Sequence, residues 1–304
     1  MTMFRNMGPC KKCERLFKNL YVWVCAATGI RVESFEKNRF VFFHADGRVI
    51  QHAEKAVDKE LCSDSEVLLI SLAGAALIIG GFPRPEFRRS LEEASCKLGV
   101  GTDLLFVTDP SCTFYLGNAS GQWDNGDYYA ETISRIASRY KKVFVIGSSM
   151  GATGILHLFG RFNCSTAVLY NPIVDVRKDD RLLHKIGGNR IPTRLRNSIP
   201  DMIAQQLKSN CKLIVHTSTL NEHDVIQRQI FEEMLPACRT RSIAQYMEEE
   251  SKQPSLVTLD LNPEERYEIV EHASAEHVLP RELAGRQEWL PLLKLDVSKA
   301  VNKV

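Results

Sequence analysis

Residues 142–154 read Lys142-Val-Phe-Val-Ile-Gly-Ser-Ser-Met-Gly-Ala-Thr-Gly154, an apolar run that ends in a serine with glycine two places to either side. Val143–Ile146 are β-branched or aromatic, the pattern of a strand buried on both faces. Met150 to Phe159 suits a helix. Between them, Gly147-Ser148-Ser149-Met150-Gly151 predicts a sharp strand-to-helix turn with Ser149 at its tip. Glycine is needed on both sides because a Cβ there would collide with the neighbouring strand and helix.

The same alternation extends outward. Val67–Leu72 is a continuous apolar run, followed by a helical stretch from Pro85 to Leu98 with Phe87, Leu91 and Leu98 on one side. Leu104–Thr108 reads as a strand stopped by Asp109-Pro110, and Tyr128–Tyr140 as a helix capped by Asp127. Strands follow at Thr166–Tyr170 and Lys212–His216, then a helix at Val225–Met234 with Ile226, Ile230 and Met234 four apart. Ser255–Leu259 and Tyr267–Val270 are the last strand candidates, and a helix at Glu282–Leu293 closes the pattern. Strands alternating with helices predict an α/β protein with a doubly wound, mostly parallel sheet. No Pro/Gly/Ser-rich linker splits residues 36–304, so one domain is expected there. Asp46-Gly47 between two short apolar runs signals a hairpin near its start. Residues 1–35 form an N-terminal extension without a readable pattern. The basic segment 173–211, with Gly187-Gly188, Pro192 and Pro200, exceeds an ordinary connection and is expected as a small helical insertion, a lid.

Composition narrows the function classes. Of 304 residues, 44% are hydrophobic and 25% charged, which suits a globular chain with a large core. A formal net charge of +2 provides no field for nucleic acid or an anionic membrane. The apolar stretch Leu20–Ile30 falls short of the ~20 residues of a membrane span. Nine scattered cysteines and a start without signal-peptide character fit reduced thiols and a cytoplasmic location. Asn118-Ala-Ser and Asn163-Cys-Ser match the glycosylation sequon, a pattern common by chance.

A serine hydroxyl attacks at neutral pH only with a base to take its proton, donors for the oxyanion and an exposed setting. The strand–turn–helix around Ser149 would supply the setting, and the amides opening the helix would face the developing charge. Lys142–Gly154 resembles the nucleophile elbow of the α/β-hydrolase superfamily, and the element order resembles that superfamily over roughly residues 65–290. The resemblance implies a triad in chain order serine, acid, histidine. His277 lies in the loop leaving the last strand, where that base is expected; imidazole titrates near neutrality and suits the task. His272, five residues earlier, ranks second. Asp224, before the helix that follows Lys212–His216, matches the acid, with Glu222 and Asp175 as alternatives and helix capping as its ordinary use. The resemblance assigns one oxyanion amide to Met150. Gly74, after Val67–Leu72, is the candidate for the second, with Gly80-Gly81-Phe82 as the alternative loop.

The implied function is a serine hydrolase cleaving an ester, thioester or related acyl bond of a small-molecule substrate through a Ser149 acyl-enzyme. Acyl transfer at the same site is one alternative, and a non-catalytic binding or scaffold protein on this fold is another. Neither a cofactor nor a metal is called for. Cys10-Lys-Lys-Cys13 is half a zinc motif without a second pair. Gly147–Gly154 lacks the Lys-Ser/Thr ending of a phosphate loop. Arg84, Arg88 and Arg89, like the arginines of 177–196, read as solvated faces.

Overall fold

The computed structural model describes residues 40–43, 49–52, 66–74, 86–87, 90–91, 102–109, 113–118, 122–175, 193–206, 211–235, 238–252, 266–277 and 279–285. Its strands are β1 (Phe40–Phe43), β2 (Val49–His52), β3 (Val67–Leu72), β4 (Thr102–Val107), β5 (Lys142–Ser148), β6 (Thr166–Tyr170), β7 (Lys212–Ser218), β8 (Arg239–Ser242) and β9 (Tyr267–His272). Its helices are α1 (Asp127–Ala137), α2 (Met150–Leu158), α3 (Thr193–Gln206), α4 (Glu222–Met234), α5 (Ile243–Lys252) and α6 (Leu279–Gly285). β1 and β2 pair antiparallel, as the Asp-Gly signal predicts. The other seven strands form one parallel sheet in the order β4-β3-β5-β6-β7-β9-β8.

Side-chain alternation divides the core between the two faces of that sheet. Leu68, Ile70, Val143, Val145, Leu169, Leu213 and Ile269 pack with α1, α2, α3 and α4. Val67, Leu69, Phe144, Ile146, Val168, Ile214 and Val270 pack on the opposite face with Leu91, Tyr246 and Leu279. Burial on both faces is why these strands read as unbroken apolar runs. Within the 173–211 segment the described helix α3 buries Ile199 and Ile203 in the first of these clusters.

Three sequence expectations change. Asp127 does not cap α1 but is its first residue: Gly126 is the N-cap at φ 79°, and the Asp124 carboxylate accepts from Gly126 N (2.9 Å) and Tyr128 N (3.1 Å). Asp127 instead pairs with Arg161. The helix expected from Pro85 begins later, because Glu86 and Phe87 form a turn and Phe87 has φ 62°. The partner at the outer edge of β9 is β8, whose sequence Arg-Thr-Arg-Ser carries no strand signal. Ser255–Leu259, the expected strand, and residues 1–35 lie outside the described residues.

β8 is held by charge rather than by apolar burial. The Arg241 side chain is 4% exposed and pairs with Glu268 on β9, itself 5% exposed, and with Glu249 on α5 at 2.9 Å. Its guanidinium lies 4.8 Å from the centroid of the Tyr246 ring. Breaking a buried pair from one side leaves an uncompensated charge. Arg241→Ala is expected to cost about 3 kcal/mol by urea denaturation, whereas Glu249→Ala, which removes the more exposed partner, should cost clearly less.

Candidate active site

β3 leads outward to β4, while β5, its neighbour on the other side, leads to β6. The carboxyl ends of β3 and β5 therefore flank a crevice at the topological switch point, where ligands bind in open α/β sheets. Ser149 directly follows β5 and Gly74 lies two residues beyond β3.

The turn at Ser149 is strained and tightly packed. Ser149 has φ 52° and ψ −117°, a conformation that costs an L-residue about 1–3 kcal/mol. Its amide donates to Tyr170 O (2.8 Å), and its carbonyl accepts from Thr153 N (2.9 Å) and Thr153 Oγ1 (3.0 Å). A Cβ on Gly151 would lie 2.2 Å from Leu72 O, and one on Gly147 would lie 2.7 Å from the Gly151 carbonyl carbon. All nine residues of α2 are buried. The serine is thus presented by backbone contacts that admit no side chain.

A continuous hydrogen-bonded chain leaves Ser149. Its Oγ lies 2.8 Å from His277 Nε2, and His277 Nδ1 lies 2.6 Å from Asp224 Oδ1. A carboxylate only accepts, so the ring proton sits on Nδ1 and Nε2 is left to accept from the serine hydroxyl. Asp224 is in the first turn of α4, where the helix amides favour negative charge. Asn221 is the N-cap, its side chain accepting from Asp224 N at 3.3 Å, so the Asp224 carboxylate is free of the capping role.

The structure separates the remaining candidates from this chain. Glu222, two residues before Asp224 on α4, is exposed. Asp175 is buried with its amide and carbonyl both bonded to Gln227. His272 ends β9, with its Nε2 3.0 Å from His216 Nδ1. Met150 opens α2, so its amide has no acceptor within the helix. The Gly74 amide donates to Glu86 Oε2 at 2.6 Å, while the carbonyl of the same peptide, Ala73 O, accepts from Tyr115 OH at 2.9 Å. Gly80-Gly81-Phe82 lies outside the described residues.

Two residues that the sequence reading missed organise the site. Asn171, at φ 46° after β6, donates from Nδ2 to His277 O (2.7 Å) and accepts at Oδ1 from Ser218 N (2.9 Å). It joins the histidine loop to the end of β7. An Asn-Pro pair directly after a strand is its only sequence signal, since Asn tolerates the left-handed region. Glu86, half-buried, is pinned again through its own carbonyl, which accepts from Ser71 Oγ at 2.8 Å. Desolvation raises its carboxyl to a pKa of about 8, against a smaller lowering by the Gly74 hydrogen bond.

The chain is similar to the acylaminoacyl peptidase of Pyrococcus horikoshii, at 12% identity and a TM-score of 0.53, over 90% of this chain and 43% of the peptidase. The chain has the α/β-hydrolase fold. It spans less than half the length of that peptidase. An esterase of Pyrococcus furiosus gives a TM-score of 0.41, at 15% identity over 77% of this chain and 85% of the esterase. The capsule O-acetyltransferase of Neisseria meningitidis gives 0.46, at 13% identity over 75% of this chain and 87% of that one. At these identities the likeness concerns the fold alone. No family model and no curated protein matches the sequence.

Two measurements test these contacts. Gly151→Ala must move backbone, so thermal denaturation should show a loss of at least about 1–3 kcal/mol. For Glu86 the sign follows from linkage: with a raised pKa the native state holds a proton that the unfolded chain has released. The carboxyl therefore lowers stability progressively as pH rises from about 4.5 to about 8. Glu86→Gln removes this dependence, and its Tm relative to wild type should rise between pH 5 and pH 8.

Proposed function

We propose that this chain is a serine hydrolase that cleaves an ester, thioester or related acyl bond through an acyl-enzyme on Ser149. The observation that carries the reading is the hydrogen-bonded chain from Ser149 through His277 to Asp224, at 2.8 and 2.6 Å, ending on a strained serine. In this reading Ser149 Oγ attacks the acyl carbon while His277 Nε2 takes its proton. Asp224 holds the neutral tautomer in place and stabilises the imidazolium that forms. The imidazolium then protonates the leaving oxygen, sulfur or nitrogen, and the acyl group stays on Ser149. Water, deprotonated by the same Nε2, releases the acid and restores the serine.

The tetrahedral intermediate needs donors for its oxyanion. The Met150 amide, at the start of α2, is the first. The Gly74 amide is the second once Glu86 gives it up. No described helix is long and apolar enough to cross a membrane. Burial, and a hydrogen bond from the neighbouring Cys164, raise the Cys211 thiol well above the ordinary thiol range. A cytoplasmic setting belongs to this proposal and rests on the odd, scattered set of nine cysteines.

A fluorophosphonate probe separates this reading from a non-catalytic one. Wild type should label and Ser149→Ala should not. Asp224→Asn, which loses the carboxylate that fixes the tautomer, should label at least about 100-fold more slowly with little loss of stability. Equal labelling of wild type and Ser149→Ala, or labelling of neither, defeats the hydrolase reading.

A further inference from the structure

His223 stands beside the serine chain without a part in it. It precedes Asp224 in the first turn of α4, and its ring meets that of His277 edge to face with centroids 5.6 Å apart. One nitrogen from each histidine and one oxygen of Asp224 all lie within 4.8 Å of one another. Asp224 is 2% exposed, and its Oδ2 accepts no hydrogen bond among the described residues while Oδ1 takes His277. A buried carboxylate oxygen without a donor calls for a compensating group, and a cation between two imidazoles would supply one.

We infer that His223, Asp224 and His277 form a binding site for a divalent cation of the zinc class, and that filling it switches off the chemistry proposed for Ser149. The inhibitory half rests on the triad reading above; the metal site stands without it. Two imidazoles and one carboxylate, with a fourth position for water, are the donor set of a borderline-soft ion. Magnesium and calcium prefer sites made wholly of oxygen. Bonds of about 2.0–2.2 Å to zinc place tetrahedral donors about 3.4 Å apart, so the widest edge must close and the His277–Asp224 contact must open. Both imidazoles are half-buried, one in the first helical turn and one in a loop. Arg228, one turn further along α4, is engaged by Glu271 and so offsets the ion less than a bare guanidinium would.

The loss of activity follows from the tautomer. When the ion takes His277 Nδ1, the ring proton moves to Nε2 and the imidazole stays neutral. Nε2–H then donates to Ser149 Oγ and cannot accept the serine proton. Nothing is oxidised and no covalent bond to carbon forms, so removing the ion restores the site.

Full-length protein, titrated with zinc chloride, tests the assignment in two ways. Calorimetry on the Ser149→Ala chain reads metal binding independently of any reaction. His223→Ala in that background should weaken zinc at least tenfold, and His223→Gln serves in its place if the alanine variant does not melt cooperatively. In labelling, zinc should suppress the fluorophosphonate reaction of wild type and a chelator should restore it. The His223 variant should label at the wild-type rate without zinc and need at least tenfold more zinc for half-suppression. Equal zinc affinity with and without His223, as cysteine-bound zinc would give, overturns the site, as does no binding in the millimolar range. Zinc binding that depends on His223 in a chain that never labels would uphold the site and sink the hydrolase reading instead.

Discussion

The close approach of α2 to the end of β3 fixes where Ser149 stands. A Cβ on Gly151 would lie 2.2 Å from Leu72 O, so helix and strand meet backbone to backbone. The strain falls on Ser149, at φ 52°. It persists because three hydrogen bonds to Tyr170 and Thr153 fasten the residue and because every residue of α2 is buried. A helix sealed on all sides cannot drift outward to relieve its first turn. Sequence dictates glycine, glycine dictates the approach, and the approach holds a hydroxyl toward the crevice at the switch point.

The partners of Ser149 reach it through strand order. Asp224 and His277 lie 53 residues apart, with α5 and β8 between them in the chain. They meet because β9 pairs directly with β7 while β8 stays at the edge. Insertion of β8 between them would separate the two loops by a further strand spacing, about 4.8 Å, and the 2.6 Å contact would be lost. The loops are then laced together: Thr219 N donates to His272 O, Leu220 N to Ser274 O, and Asn221 Nδ2 to Ala275 O. Asn171 adds the link from β6. The polar pairs that keep β8 at the edge thus bear indirectly on the geometry near Ser149.

How legible each part was depends on what stabilises it. β3, β5, β6 and β7 stand out in the sequence because burial on both faces demands largely apolar runs. β8 does not, because Arg241 and Glu268 hold it through a tertiary pairing that no local pattern reports. Asp124-Asn125-Gly126-Asp127 holds two acidic residues at the start of one helix, and the left-handed backbone at Gly126 makes that glycine the N-cap and leaves Asp124 to accept from Tyr128 N. Ser149, His277 and Asp224 could be named from motif and chain order, but the choice of Asp224 over Glu222 is a matter of which side of the first helical turn each occupies. Asn171 and Glu86 act through contacts between distant segments, and His223 gains its interest only from the placement of His277.

Glu86 introduces a constraint on any chemistry at this crevice. The peptide joining Ala73 to Gly74 is held from both sides, its carbonyl by Tyr115 OH and its N–H by the Glu86 carboxyl. What can take that N–H away depends on the charge of its present partner. A carboxyl with a pKa near 8 is mostly protonated at neutral pH and accepts as a neutral oxygen. Charged acceptors form hydrogen bonds roughly twice as strong as neutral ones. A developing oxyanion would therefore outbid neutral Glu86 for the amide, whereas a carboxylate would compete on equal terms and repel the oxyanion as well. Desolvation at Glu86 consequently favours the one protonation state in which the Gly74 amide can be given up when negative charge appears beside it.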